Sequence, residues 1–168
     1  MFQFKLSLAL INRARILSER WFAKFMKNGD GKPLKVRRYT FDTGPLFLYF
    51  GESVRAKKLL DEVQRGRVEG STCEPNLAEL YYKTCEKMGR ETARIRYLSI
   101  RRSKVIVFAP DETLSRSAGE LKCKHRGKLS LVDAYALALA KERGATLITS
   151  DPRISELAIV PTQLIEPT

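Results

Sequence analysis

Histidine occurs once in these 168 residues and cysteine three times. Neither supports a disulfide framework: the cysteine count is odd, no CxxC pair is present, and free thiols suit a reducing cytoplasm. A zinc site assembled from Cys73, Cys85, Cys123 and His125 would lack the paired spacing such sites use, since only Cys123 and His125 are neighbours in sequence. The cysteines read instead as small buried side chains. A hydrophobic run of membrane-spanning length is also missing. The apolar opening is broken by Lys5 and too short to cross a bilayer, and no small-residue cleavage site follows it. We therefore expect no stable membrane insertion and no secretory leader.

What the chain has in excess is positive charge, +12 overall. It is unevenly spread. Residues 1–38 carry ten Lys/Arg against two acids, a net +8, and residues 39–168 carry 21 against 17, a net +4. A basic balance favours phosphate backbones or anionic surfaces without choosing between them. Residues 1–36 read as a basic extension. Leu8, Ile11, Ile16, Trp21, Phe22 and Phe25 give an imperfect amphipathic helix, and "KNGDGKP" at 27–33 reads as a linker. That helix could lie on a membrane, pack on the domain, or come from a start codon cells do not use.

From residue 37 onward, helical and strand patterns alternate, without internal repeats. "VRRYTF" (36–41) reads as a strand with Asp42 at its end, and "GPLFLYF" as a helix. "SVRAKKLLDEVQRG" has Ser53 as an N-cap candidate and Gly66 as its stop. "RVEGST" is a weak strand. "EPNLAELYYKTCEKMG" is a helix with Pro75 in its first turn and Gly89 after its last; "RETARIRYLSIRRS" is a second, very basic one. "KVIVFA" reads as a strong strand, apolar on both faces. "DETLSRSAGELKCKHRG" is a helix interrupted by Gly119. "SLVDAYALALAKERG" opens on an S-x-x-D capping pattern and runs through Ala and Leu, as a helix buried between other elements does. "ATLIT" is again continuously apolar, and "RISEL" and "AIVPTQLI" close with a helical turn and an edge strand. Continuous apolar strands separated by helices predict a mostly parallel sheet covered on both faces, a three-layer α/β/α sandwich.

Four acids stand out against that frame. Ligands of open parallel sheets collect beyond the carboxyl ends of the strands. Asp42 ends the first strand, and Asp151 follows the later "ATLIT" strand after Thr149 and Ser150. Asp133, in the first turn of the Ala/Leu helix, has an ordinary role as a cap. Glu79 lies nearly opposite the face shared by Leu77, Leu80, Tyr81, Thr84, Cys85 and Met88, so periodicity says only that it is not core.

"YTFDTGPLF", "NLAELYYKTCEKMG" and "LSLVDAYALALAKERGATLITSD" together resemble, in order and spacing, the PIN-domain nucleases, especially the VapC-like toxins, over residues 37–165. The resemblance implies that Asp42, Glu79, Asp133 and Asp151 are metal-binding acids, with Thr149 as the hydroxyl two places before the last of them. One position departs. Many members carry a hydroxyl or amide two residues after the first Asp, where this chain has Gly44. Crowded carboxylates repel unless a cation sits among them, and an oxygen-only donor set selects Mg²⁺, with Mn²⁺ able to substitute. Such an ion can activate water, which removes the need for a histidine base.

The implied function is a metal-dependent endoribonuclease, the toxin of a type II toxin–antitoxin pair. It would have an RNA substrate, a small antitoxin protein as partner and a homodimer as a possible assembly. A housekeeping RNA-processing nuclease and a non-catalytic RNA- or protein-binding module of the same fold are the alternatives. Arg153, Arg126 and Lys128 are candidates to hold substrate phosphates. "FDTG" also fits the aspartic-protease motif, but that all-β enzyme needs two such aspartates. A haloacid-dehalogenase-like phosphatase would need a second Asp at position 44.

Overall fold

The computed structural model describes residues 36–166. What the sequence suggests for residues 1–35, amphipathic helix and linker alike, lies outside the described residues.

Five short strands form one sheet: β1 (Arg38–Phe41), β2 (Glu69–Cys73), β3 (Ile106–Phe108), β4 (Thr146–Thr149) and β5 (Thr162–Leu164). Their order is β3-β2-β1-β4-β5, and every neighbouring pair is parallel. Between them run α1 (Thr43–Phe50), α2 (Val54–Gln64), α3 (Glu74–Arg101), α4 (Glu112–Lys124), α5 (Leu131–Arg143) and α6 (Pro152–Glu156). The continuous apolar strands are explained by burial on two sides. Phe41 and Ile148 belong to one core cluster with residues of α1, α2 and α3. Leu147 belongs to another with residues of α5 and α6, and Cys73 and Phe108 to a third with residues of α4 and α5. Successive side chains of a strand point to opposite faces, so Leu147 and Ile148 feed the two layers. The expected α/β/α sandwich is what forms.

The capping signals act unequally. Ser130 and Asp133 form the full capping box, Ser130 Oγ accepting from Asp133 N at 3.0 Å and Asp133 Oδ2 accepting from Ser130 N at 2.7 Å. Gly144 ends α5 in the left-handed region at φ 56°. Ser53 holds the N-cap position of α2, yet its hydroxyl makes no cap bond and is buried without a partner among the described residues. β3 is shorter and less buried than its apolar sequence suggests. It lies at the sheet edge, where Ile106 is 40% exposed.

α3 is not one straight helix. Gly89 sits at φ 85°, ψ 164°, outside the helical region. Arg101 binds Glu74, and the Tyr81 and Tyr97 rings meet edge-on at 6.1 Å. A straight helix would separate residues 74 and 101 by about 40 Å, so α3 is a hairpin of two antiparallel limbs, 74–88 and 90–101. Only glycine takes this conformation without strain, which is why the two helical patterns in the sequence meet at Gly89. Met88, grouped by the helical wheel with the core, is 54% exposed. It is the last residue before the reversal. The cysteines likewise differ from one another: Cys73 is buried, Cys85 intermediate and Cys123 exposed.

Candidate functional site

β1 and β4 are neighbours with Phe41 opposite Ile148, so their carboxyl ends lie side by side. Asp42 continues that register, its backbone N–H donating to Ile148 O at 2.9 Å. Its carboxylate caps α1, Oδ1 accepting from Thr43 N at 2.7 Å. Two further donors reach it. Thr149 Oγ1 donates to Oδ2 at 2.9 Å, and Asn76 Nδ2 donates to Oδ1 at 3.2 Å. Asp42 is buried and forms no ion pair among the described residues. Its pKa is pushed up to about 6, first by burial and then by the negative charge of Asp133 and, less, of Glu79; the bonds from Thr43 and Thr149 pull the other way. Buried charges are otherwise paired or hold metals, so an acid held in this way is the strongest functional signal in the molecule.

Glu79, in the first limb of α3, is not a solvated glutamate. Its side chain is 11% exposed and pairs with Lys83 Nζ at 2.6 Å. Lys83 is half-buried; burial opposes its charge, but the bond and field of Glu79, with help from Asp42, hold its pKa above the ordinary lysine value. Asp133 is held by the capping box through Oδ2, which commits one of its two oxygens. Cap and functional acid are thus compatible readings of one residue.

Asp151 is placed differently. It caps α6 by accepting from Arg153 N at 2.9 Å, and the Arg153 guanidinium grips both its oxygens, Nε at 3.0 and 3.1 Å. Hydrogen bonding from Arg153 carries its pKa below the usual carboxylate value despite some burial. Asp151 is not among the groups whose charge shifts Asp42. The link between them is Thr149, whose Oγ1 accepts from Asp151 N at 3.1 Å while donating to Asp42. The structure therefore brings Asp133 and Glu79 within electrostatic reach of Asp42 and pairs Asp151 with Arg153. Among the described residues, no three His, Cys, Asp or Glu side chains are grouped closely enough to hold a metal ion as they stand.

Of the substrate-binding candidates, Arg126 and Lys128 are exposed on the loop from α4 into α5, with no acidic partner among the described residues. Arg153 is exposed but engaged by Asp151. Sequence reasoning missed Asn76 and Lys83. Lys83 follows Glu79 by four residues, an ion-pair spacing legible in advance. Asn76 offers no such signal, because its partner is 34 residues away.

The structure also accounts for Gly44. A Cβ at that position would fall 1.9 Å from Ser150 Oγ. Ser150 occupies the room that a side chain at position 44 would need.

Comparison with known proteins agrees with this architecture. No curated protein matches the chain. Among solved structures, VapBC2 of Rickettsia felis, bound to a DNA fragment from its promoter, matches at TM-score 0.62 and 17% identity over 76% of this chain and 98% of that one. VapC20 of Mycobacterium tuberculosis, described as a Sarcin-Ricin loop cleaving toxin, matches at 0.61 and 19% over 73% and 96%. DNA-bound VapBC of Salmonella typhimurium matches at 0.60 and 16% over 76% and 98%. At these identities the likeness is one of fold. No helix among the described residues is long and apolar enough to cross a membrane. The PIN domain family model matches residues 39–160, most of the chain, and the protein belongs to the PIN-domain family.

Proposed function

We propose that this protein is a divalent-metal-dependent endoribonuclease and the toxin of a toxin–antitoxin pair. The observation that carries the chemistry is Asp42: buried, in no ion pair among the described residues, and raised to about 6 by burial and the acids beside it. A cation at this place would relieve that cost.

The donors fit a hydrated hard ion. All are oxygens. Asp42 Oδ2 accepts one hydrogen bond and keeps a lone pair, and only Oδ2 of Asp133 is committed to the cap. Mg²⁺ retains several waters and needs only one or two carboxylates, so a closed cage of three is not required. Asp42 and Asp133 would hold the ion, with Glu79 joining on release from Lys83 and Asp151 on release from Arg153. Bound there, Mg²⁺ or Mn²⁺ would lower the pKa of a water and offset charge on phosphoryl oxygens.

The remaining roles fall to the chain itself. Thr149 fixes the rotation of Asp42 and ties it to the turn bearing Asp151. Arg126 and Lys128, and Arg153 when it leaves Asp151, would bind phosphates of the RNA backbone. The toxin assignment takes its support from the VapBC and VapC20 structures that share this fold. Those complexes also motivate an antitoxin partner. A housekeeping RNA-processing nuclease shares the same chemistry and differs in substrate and partner.

The test is cleavage of a mixed RNA pool by purified full-length protein. We expect no cleavage in EDTA and recovery with Mg²⁺ or Mn²⁺. Undiminished cleavage in EDTA would defeat the mechanism. Inhibition by the product of an adjacent small reading frame would separate toxin from housekeeping enzyme.

A further inference from the structure

Asn76 is fully buried in the first turn of α3, and its amide orientation is dictated by its partners. Thr43 Oγ1 donates to the Asn76 backbone carbonyl at 3.4 Å, so that hydroxyl must accept from the amide Nδ2, 3.2 Å away. The ionised Asp42 carboxylate also only accepts, and Nδ2 lies 3.2 Å from its Oδ1. Both N–H groups of the amide are thereby used. Asn76 Oδ1 is left buried with no partner among the described residues. Turning the amide over would set its oxygen against Asp42 Oδ1, an acceptor that has no proton to give. An orphaned buried oxygen is costly, and it is tolerated here because the donors are committed elsewhere.

The consequence lies on Asp42. Oδ1 accepts from both Thr43 N and Asn76 Nδ2, which fills its two in-plane lone pairs. Oδ2 accepts only from Thr149 and keeps one lone pair open. We propose that Asn76 is a positioning residue that closes Oδ1 of Asp42, so that Asp42 offers a cation a single oxygen, which biases the site toward a small six-coordinate ion and against calcium. Calcium takes six to eight oxygens and accepts carboxylates through both; Mg²⁺ and, by its similar preference, Mn²⁺ are served by one oxygen each. The inference rests on the metal-dependent reading above and adds to it the residue that sets metal choice.

The experiment is calorimetric titration of full-length protein with Mn²⁺ and separately with Ca²⁺, for the wild type and Asn76→Leu, which keeps the volume and removes the donor. Partners that orient metal ligands typically govern affinity by about 10–100-fold. We expect Mn²⁺ affinity to fall by at least about 10-fold while Ca²⁺ affinity holds or rises, so that the Mn²⁺/Ca²⁺ preference narrows. Thr43→Val, which keeps the shape and the capping N–H, removes the hydroxyl that fixes the amide. It should shift the preference the same way by less, and it serves as the folded probe if the Leu variant does not fold. Unchanged affinities, or equal losses for both ions, would overturn the proposal. A wild type that binds neither ion would instead overturn the functional reading on which it rests.

Discussion

Asp42 and Asp151 follow adjacent parallel strands at the same edge of the sheet, and each caps the helix that begins after it. Chemically they have parted. Asp42 is buried, meets three neutral donors and two neighbouring acids, and holds its proton up to about pH 6. Asp151 is half-buried, is gripped by Arg153 and ionises more readily than a free aspartate. Position at a strand end brings an acid to the site; what packs over it decides whether that acid is poised for a cation or already has one. Lys83 and Arg153 stand on two of the four acids, and among the described residues no three ligating side chains are grouped tightly.

Removing Asp42's charge is the most direct way to break the comparison. Asp42→Asn should reduce metal-dependent cleavage by more than ~100-fold, beyond the range seen for residues that merely orient ligands. It should also stabilise the metal-free protein at neutral pH. The folded-state pKa of about 6 lies above the unfolded value near 3.8, so the native state binds this proton more tightly. Stability tied to Asp42 is present at low pH and is lost as pH rises through roughly 4 to 6. Thermal melts at pH 4.5 and 7.5 should show the variant gaining more on the wild type at the higher pH. Metal binding by the wild type should strengthen across the same window, because the ion competes with the proton on Asp42. A variant equally active, or equally destabilised at both pH values, would deny Asp42 its role.

Asp133 sharpens the comparison by separating two duties of one acid. Asp133→Asn can still accept from Ser130 N through its amide oxygen, so the cap should survive, whereas losing a cap costs about 0.5–2 kcal/mol. We expect cleavage to be abolished with the melting temperature nearly unchanged. Early melting with normal activity in the folded fraction would make Asp133 a cap alone. The smallest effect should come from Arg153→Gln. With its clamp removed, the Asp151 pKa should rise toward the ordinary aspartate value, measurable by side-chain carboxyl NMR, while Asp42 stays put because the charges that raise it are those of Asp133 and Glu79. A parallel shift of Asp42 would mean the two acids form one coupled group.

These contrasts also show where reading residues in order succeeds. The helix over 131–143 announces itself through Ser130, Asp133, a run of Ala and Leu, and Gly144, because every signal is local and they agree. Gly89 marks the join between two helical patterns for the same reason, though not that the limbs fold back on each other. The apolar run "VIVF" led to a strand buried on both faces, yet β3 lies at the edge, because apolarity reports burial of the average residue and not position in the sheet order. The PIN resemblance gathered Asp42, Glu79, Asp133, Asp151 and Thr149 as one site. The structure links Thr149 to Asp42 directly and leaves Asp151 with Arg153.

By itself, the sequence determined the alternation of strands and helices, the parallel sheet that alternation requires, the placement of acids at strand and helix ends, and the excess of basic charge. These follow from periodicity, capping and composition, which act within a turn or a strand of their own residue. Only the tertiary structure decided that Asn76 supports Asp42, that Ser150 fills the space over Gly44, that Lys83 and Arg153 stand on two of the acids, and that Asp42 is raised to about 6 while Asp151 is lowered. A carboxylate's charge state is set by desolvation and by nearby partners, and for Asp42 the partners Glu79, Asp133 and Thr149 come from three other elements of the fold.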